Sequence, residues 1–258
     1  MSGEVLTGCW RFLRSPRADG PTNMAIDELL IERAACHGET IVRVYEWSQP
    51  TLSFGRNQTA IGVYDRAKLR DEGIAVVRRP TGGRAVLHWR EVTYSIAAPV
   101  SASLRTTYAA VNNLLVDALR AIGVAAEIAA PGKRAASPSG SPCFEEPSAG
   151  ELIANGRKLA ASAQWRTESA MLQHGSILME NDQSRIASFM VVPVEIPEPA
   201  TLSALLPVTP APKLIADAIH EAVRHRHPGL CSLDVSIDDA LVRTVANRYR
   251  DESWTWRR

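Results

Sequence analysis

Lysine is scarce in this chain. Four residues, Lys68, Lys133, Lys158 and Lys213, stand against 25 arginines, so a lysine inside a chemical motif is conspicuous. Cysteine is scarce as well: Cys9, Cys36, Cys143 and Cys231 lie far apart and form no C-x-x-C pair. That spacing argues against a zinc knuckle, a redox dithiol or a disulfide scaffold, and no metal is expected. No run approaches the roughly 18–20 apolar residues that a membrane span needs. Residues 1–17 lack the apolar core of a signal peptide, so the expectation is a cytoplasmic protein with no membrane partner. An excess of one charge is lacking too. Lys plus Arg is 29 and Asp plus Glu is 28, a net charge of +1, which leaves no basic surplus for binding nucleic acid.

What is present is ordinary for a globular protein: 258 residues, 45% hydrophobic and 22% charged. Periodicity places helices over residues 23–35, 65–71, 104–122, 213–224 and 238–248, the first with Thr22 as its N-cap. Strand patterns cover 41–47, 51–54, 74–79, 84–88, 92–97, 151–154, 158–164 and 171–179. Residues 131–142 are Pro, Gly, Ser and Ala with two basic side chains, the composition of an exposed loop. Six prolines between Pro193 and Pro212 mark a crossing segment. Strands adjacent in sequence favour a mixed α+β sheet over a doubly wound parallel one.

Several segments carry side chains with chemistry. Residues 78–88 read Arg-Arg-Pro-Thr-Gly-Gly-Arg-Ala-Val-Leu-His. Two glycines between strands let backbone N–H groups approach a carbonyl oxygen or a phosphate, although the same residues would also make a plain arginine-rimmed hairpin. Cys143, in Pro-Cys-Phe-Glu after the loop, is placed to be accessible, whereas Cys9, Cys36 and Cys231 suit the buried apolar role common for free cysteine. Lys158 opens a strand of small residues. Beside a thiol its ammonium would favour the thiolate; alone it would be an ordinary surface lysine. His174, in Leu-Gln-His-Gly-Ser, is either a base or ligand, or a hydrogen-bonded core residue. With His88 it gives only two metal ligands, too few for zinc. Arg224-His-Arg-His227 reads as a solvated helix end.

Together with Glu91-Val-Thr-Tyr-Ser95, Gly156-Arg-Lys158, Ser162-Ala-Gln164, Asn23-Met-Ala-Ile-Asp27 and the closing residues 249–254, these segments resemble the lipoate/biotin protein ligase superfamily. The resemblance is strongest to its LipM-type octanoyltransferase branch, and the ordered set spans nearly the whole chain. It implies the biotin/lipoyl ligase fold, with mostly antiparallel sheets flanked by helices. The division expected is a catalytic domain over 1–192, with the crossing and C-terminal helices of 193–258 packed on it. A monomer is the default.

The implied activity moves octanoyl from acyl carrier protein to a lysine of a lipoyl domain, in 2-oxoacid dehydrogenases or the glycine-cleavage H protein, with no cofactor. Cys143 matches the family nucleophile and Lys158 the active-site lysine. Arg79, Thr81, Gly82, Gly83, His88, Ala161, Ser162, His174 and Gly175 match the substrate-binding walls, and Val86, Leu87, Ala160 and Ala161 are expected to form the apolar slot. Ala161 stands where glycine is usual, and Gly150 where an aromatic is common, which implies a less firmly anchored Cys143 loop. Acidic carriers set against 25 arginines predict docking through Arg78, Arg84 and Arg134. Three alternatives share the fold: an ATP-dependent lipoate–protein ligase, an octanoyl amidotransferase drawing on the H protein, and a non-catalytic acyl-binding regulator.

Overall fold

The computed structural model of the chain describes residues 5–130, 150–232 and 237–258. Its strands are β1 (Cys9–Arg14), β2 (Glu39–Tyr45), β3 (Thr51–Phe54), β4 (Ala75–Arg78), β5 (Val86–His88), β6 (Glu91–Pro99), β7 (Glu127–Ile128), β8 (Leu152–Ala154), β9 (Arg157–Arg166), β10 (Ala170–Leu178) and β11 (Cys231–Ser232). Its α-helices are α1 (Gly20–His37), α2 (Arg66–Asp71), α3 (Leu104–Ala121), α4 (Leu202–Leu205), α5 (Pro212–Arg226), α6 (Asp239–Arg250) and α7 (Glu252–Thr255). A 3₁₀ helix covers Gln183–Phe189.

Eight strands form one sheet in the order β11-β1-β2-β6-β10-β9-β8-β7, and a smaller sheet runs β4-β3-β5. Among the described strands, only β1 with its two neighbours and β3 with β4 pair in parallel. The mixed, mostly antiparallel α+β arrangement matches the expected fold class. Helix α5 packs on α3 against one face of the large sheet, while α1 covers the other face and carries α6 on its outer side. The main core lies between sheet, α3 and α5, from Phe12, Val44 and Ile96 to Leu115 and Ile219. No helix of the described residues is long and apolar enough to cross a membrane.

Three local expectations are corrected. Helix α1 starts before Thr22: Asp19 is the N-cap and accepts a 2.8 Å bond from the Thr22 backbone N–H. Pro21 fits the first turn because the missing donor there has no intrahelical partner. The segment between β4 and β5 is not a hairpin, since the two strands lie on opposite sides of β3. Residues 79–85 therefore cross over the end of β3. Finally, Cys9, Cys36 and Cys231 are exposed rather than buried, because each sits at the end of an element.

Candidate active site

An irregularity in β9 decides where its lysine points. Ile153 of β8 pairs with Lys158, but Leu152 pairs with Ala160, so Leu159 is an extra residue. In a regular strand Lys158 and Ala160 would share a face. The bulge puts Leu159 and Ala160 together in the main core and turns Lys158 to the face that carries Ala161 and Ala163. Bulges commonly re-aim a side chain in this way. Lys158 is buried, and its Nζ donates to Glu151 Oε1 at 2.7 Å.

The crossing loop is held from within. Arg79 bonds the carbonyls of Ser53, Gly82 and Arg84 at 3.0, 2.8 and 2.8 Å and the Ser53 hydroxyl at 2.9 Å. Gly83 adopts φ +88°, and a Cβ there would lie 2.9 Å from the Arg79 guanidinium, so glycine is required. Arg78 is fully buried behind the loop and bonds the carbonyls of Gly55, Gln58 and Thr255 at 2.6, 2.7 and 2.9 Å. Burial and the nearby charges of Arg257, Arg258 and Arg79 pull its pKa down to about 10.

Thr81 Oγ1 lies 2.7 Å from His174 Nε2, and His174 Nδ1 lies 3.0 Å from Asp27 Oδ2. An ionised carboxylate only accepts, so Nδ1 carries a proton and donates it to Asp27. Asp27, on α1, takes four donors: Arg43 at 2.7 Å and Ser95 at 2.8 Å on Oδ1, and Tyr45 and His174 at 3.0 Å on Oδ2. Burial alone would raise its carboxyl pKa, but Arg43 and His174 outweigh burial and hold it below the usual value.

Between this row and β9 lies a cavity lined by Met24, Tyr45, Trp47, Ser53, Arg79, Gly83, Val86, His88, Thr93, Ala161, Ser162, Ala163, His174, Gly175 and Ser176. Gly83, Ser162 and Ala163 are the accessible end, while Met24, Tyr45 and Ser53 are buried. Gly175 lets β9 and β10 close on the cavity, since a Cβ would sit 2.4 Å from the Ala161 carbonyl oxygen and 2.9 Å from the Tyr94 ring. At the buried end His88 stacks on Trp47, with centroids 4.0 Å apart, and meets Ser53 at 2.8 Å and Glu91 and Ser176 at 3.1 Å. Burial lowers the His88 pKa, against the opposing pull of Glu91.

Arg79, Gly83, His88, Ala161, Ser162, His174 and Gly175 thus line one cavity, and Thr81 joins it through His174. Gly82 stays outside the lining and takes part through its carbonyl, which Arg79 holds. Cys143 lies outside the described residues. Of the expected apolar slot, Val86 and Ala161 face the cavity, but Leu87 and Ala160 turn into two other cores because neighbouring strand residues alternate. Arg78 and Arg84 are too buried to dock a partner, and Arg134 is outside the described residues.

The loop bearing Cys143, for which a weaker anchor was implied, lies outside the described residues, but Gly150 at its end is held in place. Its carbonyl accepts from Asn112 at 2.6 Å, its N–H donates to Ala129 at 3.0 Å, and the Tyr108 ring lies against it. Sequence reasoning gave no role to Asp27, Arg43, Glu91 or Glu151, although Asp27 and Glu91 lie inside the quoted segments 23–27 and 91–95. Among the described residues no three His, Cys, Asp or Glu side chains converge as a metal cage.

Comparison with known proteins agrees with this geometry. Residues 19–224 match the lipoyl protein ligase A/B catalytic domain. The chain is 39% identical over 194 residues to octanoyltransferase LipM of Kyrpidia tusciae, covering 71% of each chain. It is 36% identical over 189 residues to octanoyltransferase LipM of Staphylococcus aureus, covering 69% of this chain and 68% of that one. Among solved structures, a lipoate-protein ligase A bound with ATP superposes with TM-score 0.78 at 19% identity, covering 96% of this chain and 99% of that one. A bi-partite lipoate protein ligase from Thermoplasma acidophilum gives 0.77 at 18% identity, with 97% of both chains covered. The fold, the cavity wall and these relatives together place the chain in the lipoyl protein ligase A/B catalytic domain family.

Proposed function

We propose that the protein is an octanoyltransferase of protein lipoylation, passing octanoyl from acyl carrier protein through a Cys143 thioester to a lysine of a lipoyl domain. The observation that supports this reading is the bulge that turns Lys158 off the main-core face of β9 and onto Glu151, on the side of the strand that carries Ala161. The relatives named octanoyltransferase LipM support the acyl group, and the largely apolar cavity suits a short acyl chain.

In the first step the Cys143 thiolate attacks the octanoyl thioester carbonyl. The carrier thiolate leaves and takes a proton. One thioester replaces another, so no ATP is consumed. In the second step the acceptor amine attacks the acyl-enzyme, loses a proton and forms the amide, while the Cys143 thiolate is released. Lys158 is the candidate for managing that proton, and it is held by Glu151.

The test is intact mass after mixing with octanoyl-acyl carrier protein without ATP. One octanoyl adduct is expected, absent in Cys143→Ala. Transfer to the lipoyl domain only with ATP and free acid, with no enzyme adduct, would favour the ligase alternative, loading from octanoyl-H protein alone the amidotransferase, and neither adduct nor transfer the regulator. Lys158→Arg keeps a charge near the thiol but cannot readily accept a proton. It should preserve alkylation of Cys143 yet fail in transfer to the lipoyl domain.

A further inference from the structure

Beside the crossing loop that walls the cavity, three arginines gather with no Asp or Glu paired to them among the described residues. Arg56 follows β3, its backbone N–H donates to the Thr81 carbonyl at 2.7 Å, and its guanidinium lies 5.6 Å from the Trp165 ring centroid. Arg257 donates to the Arg56 carbonyl at 2.6 Å. The Arg258 carbonyl accepts from the Ala60 and Ile61 N–H groups, each at 2.9 Å. Among the described residues none of the three has a carboxylate within ion-pair distance, whereas Arg66, Arg90 and Arg185 nearby on the surface are paired with Glu252, Glu180 and Glu72. Beside Arg258, Ile61 is 59% exposed. The chain's net charge is only +1, so this is a local concentration of uncompensated positive charge around an apolar residue.

We infer that Arg56, Arg257, Arg258 and Ile61 form the docking surface for the acidic carrier protein that delivers the acyl thioester, a conclusion that rests on the octanoyl-transfer reading above. The position selects the donor over the acceptor. Trp165, under Arg56, is seven residues from Lys158 along β9, roughly 20 Å at strand rise once the bulged Leu159 is discounted. A carrier seated there is too far for a lysine side chain to reach Lys158. A thioester on a long prosthetic arm spans that distance and enters past Gly83 and Ala163. Three arginines are too small a footprint for a nucleic-acid backbone but match a carboxylate-rich protein face, whose encounter they would accelerate.

The surface is tested with Arg257→Glu/Arg258→Glu, leaving Arg56 because its backbone holds Thr81. Arg257→Gln/Arg258→Gln is the milder companion if the first folds poorly. Expected is a rise in KM for octanoyl-acyl carrier protein of ~10-fold or more, with little change in kcat and loss of its salt dependence. Acylation by carrier-free octanoyl-pantetheine and the KM for the lipoyl domain should not move. An unchanged carrier KM overturns the inference, as does an equal loss with octanoyl-pantetheine, or a rise confined to the lipoyl domain. If the wild type takes octanoyl from neither thioester, the transfer reading falls by itself. Fluorescence anisotropy of the carrier protein, bound by wild type and not by the Glu variant, would still establish the docking; equal binding by both, or none by the wild type, would end it.

Discussion

Glu151 Oε1 and Lys158 Nζ lie 2.7 Å apart, with side-chain exposures of 10% and 2%. The pair ties the residue before β8 to the bulged start of β9, so the carboxylate fixes where the ammonium sits. Glu151→Gln should lower kcat by ~10–10²-fold, the penalty for a displaced reacting group, with KM little changed. Glu151→Asp should recover part of the loss. Steady-state kinetics of the three proteins check this, and an unchanged kcat in Glu151→Gln removes Glu151 from any positioning role.

Asp27 and Arg43 are both fully buried. Removing one charge of such a pair costs about 3–5 kcal/mol, so Asp27→Asn should lower Tm by roughly 6–20 °C for a chain of this size. Pairing it with Arg43→Met should restore part of the loss. Differential scanning calorimetry decides, and a single variant as stable as wild type would refute the cost.

Gly175→Ala should be severe for its size. The added methyl carbon meets the Ala161 backbone oxygen at 2.4 Å, which no rotamer change relieves. Overpacking of this kind costs about 1–3 kcal/mol or more. Reduced soluble yield and a lower Tm are expected, with activity lost in whatever folds.

His88 gives a pH signature. Its folded pKa lies below the ordinary value because burial disfavours the charged ring. In the window between that value and about 6.5 the unfolded chain binds more protons. The neutral ring's contribution is therefore complete above about pH 6.5 and declines as pH falls toward the folded value. Tm should drop on acidification through that window, and His88→Gln should flatten the drop. Parallel curves for the two proteins would contradict it.

The cavity wall was legible in the sequence because its motifs are local. Residues 78–88 and 172–176 each put glycine and histidine within a few positions, and the loop needs both glycine's freedom and an arginine clamp. Strand β1 was not read although Trp10 and Phe12 alternate inward, because a single short run near charged residues carries little pattern. Asp27 was hidden for a different reason. On a helix that also carries Glu28, Glu32 and Arg33 an acid looks like surface charge, and only Arg43, Tyr45, Ser95 and His174 arriving from three strands make it a core residue. The bulge at Leu159 was equally hidden, since it exists only in the register with β8.

The row Thr81–His174–Asp27 joins residues 93 and 147 positions apart. No local segment can assemble it ahead of the rest. During synthesis α1 and the crossing loop must wait for β10, so the cavity comes into being only when that strand enters the sheet, and pairings so distant in sequence form slowly. Catalytic competence should consequently appear in one step late in refolding, rather than growing with the helical signal, and the protein should spend the interval with its acyl slot open as exposed apolar surface.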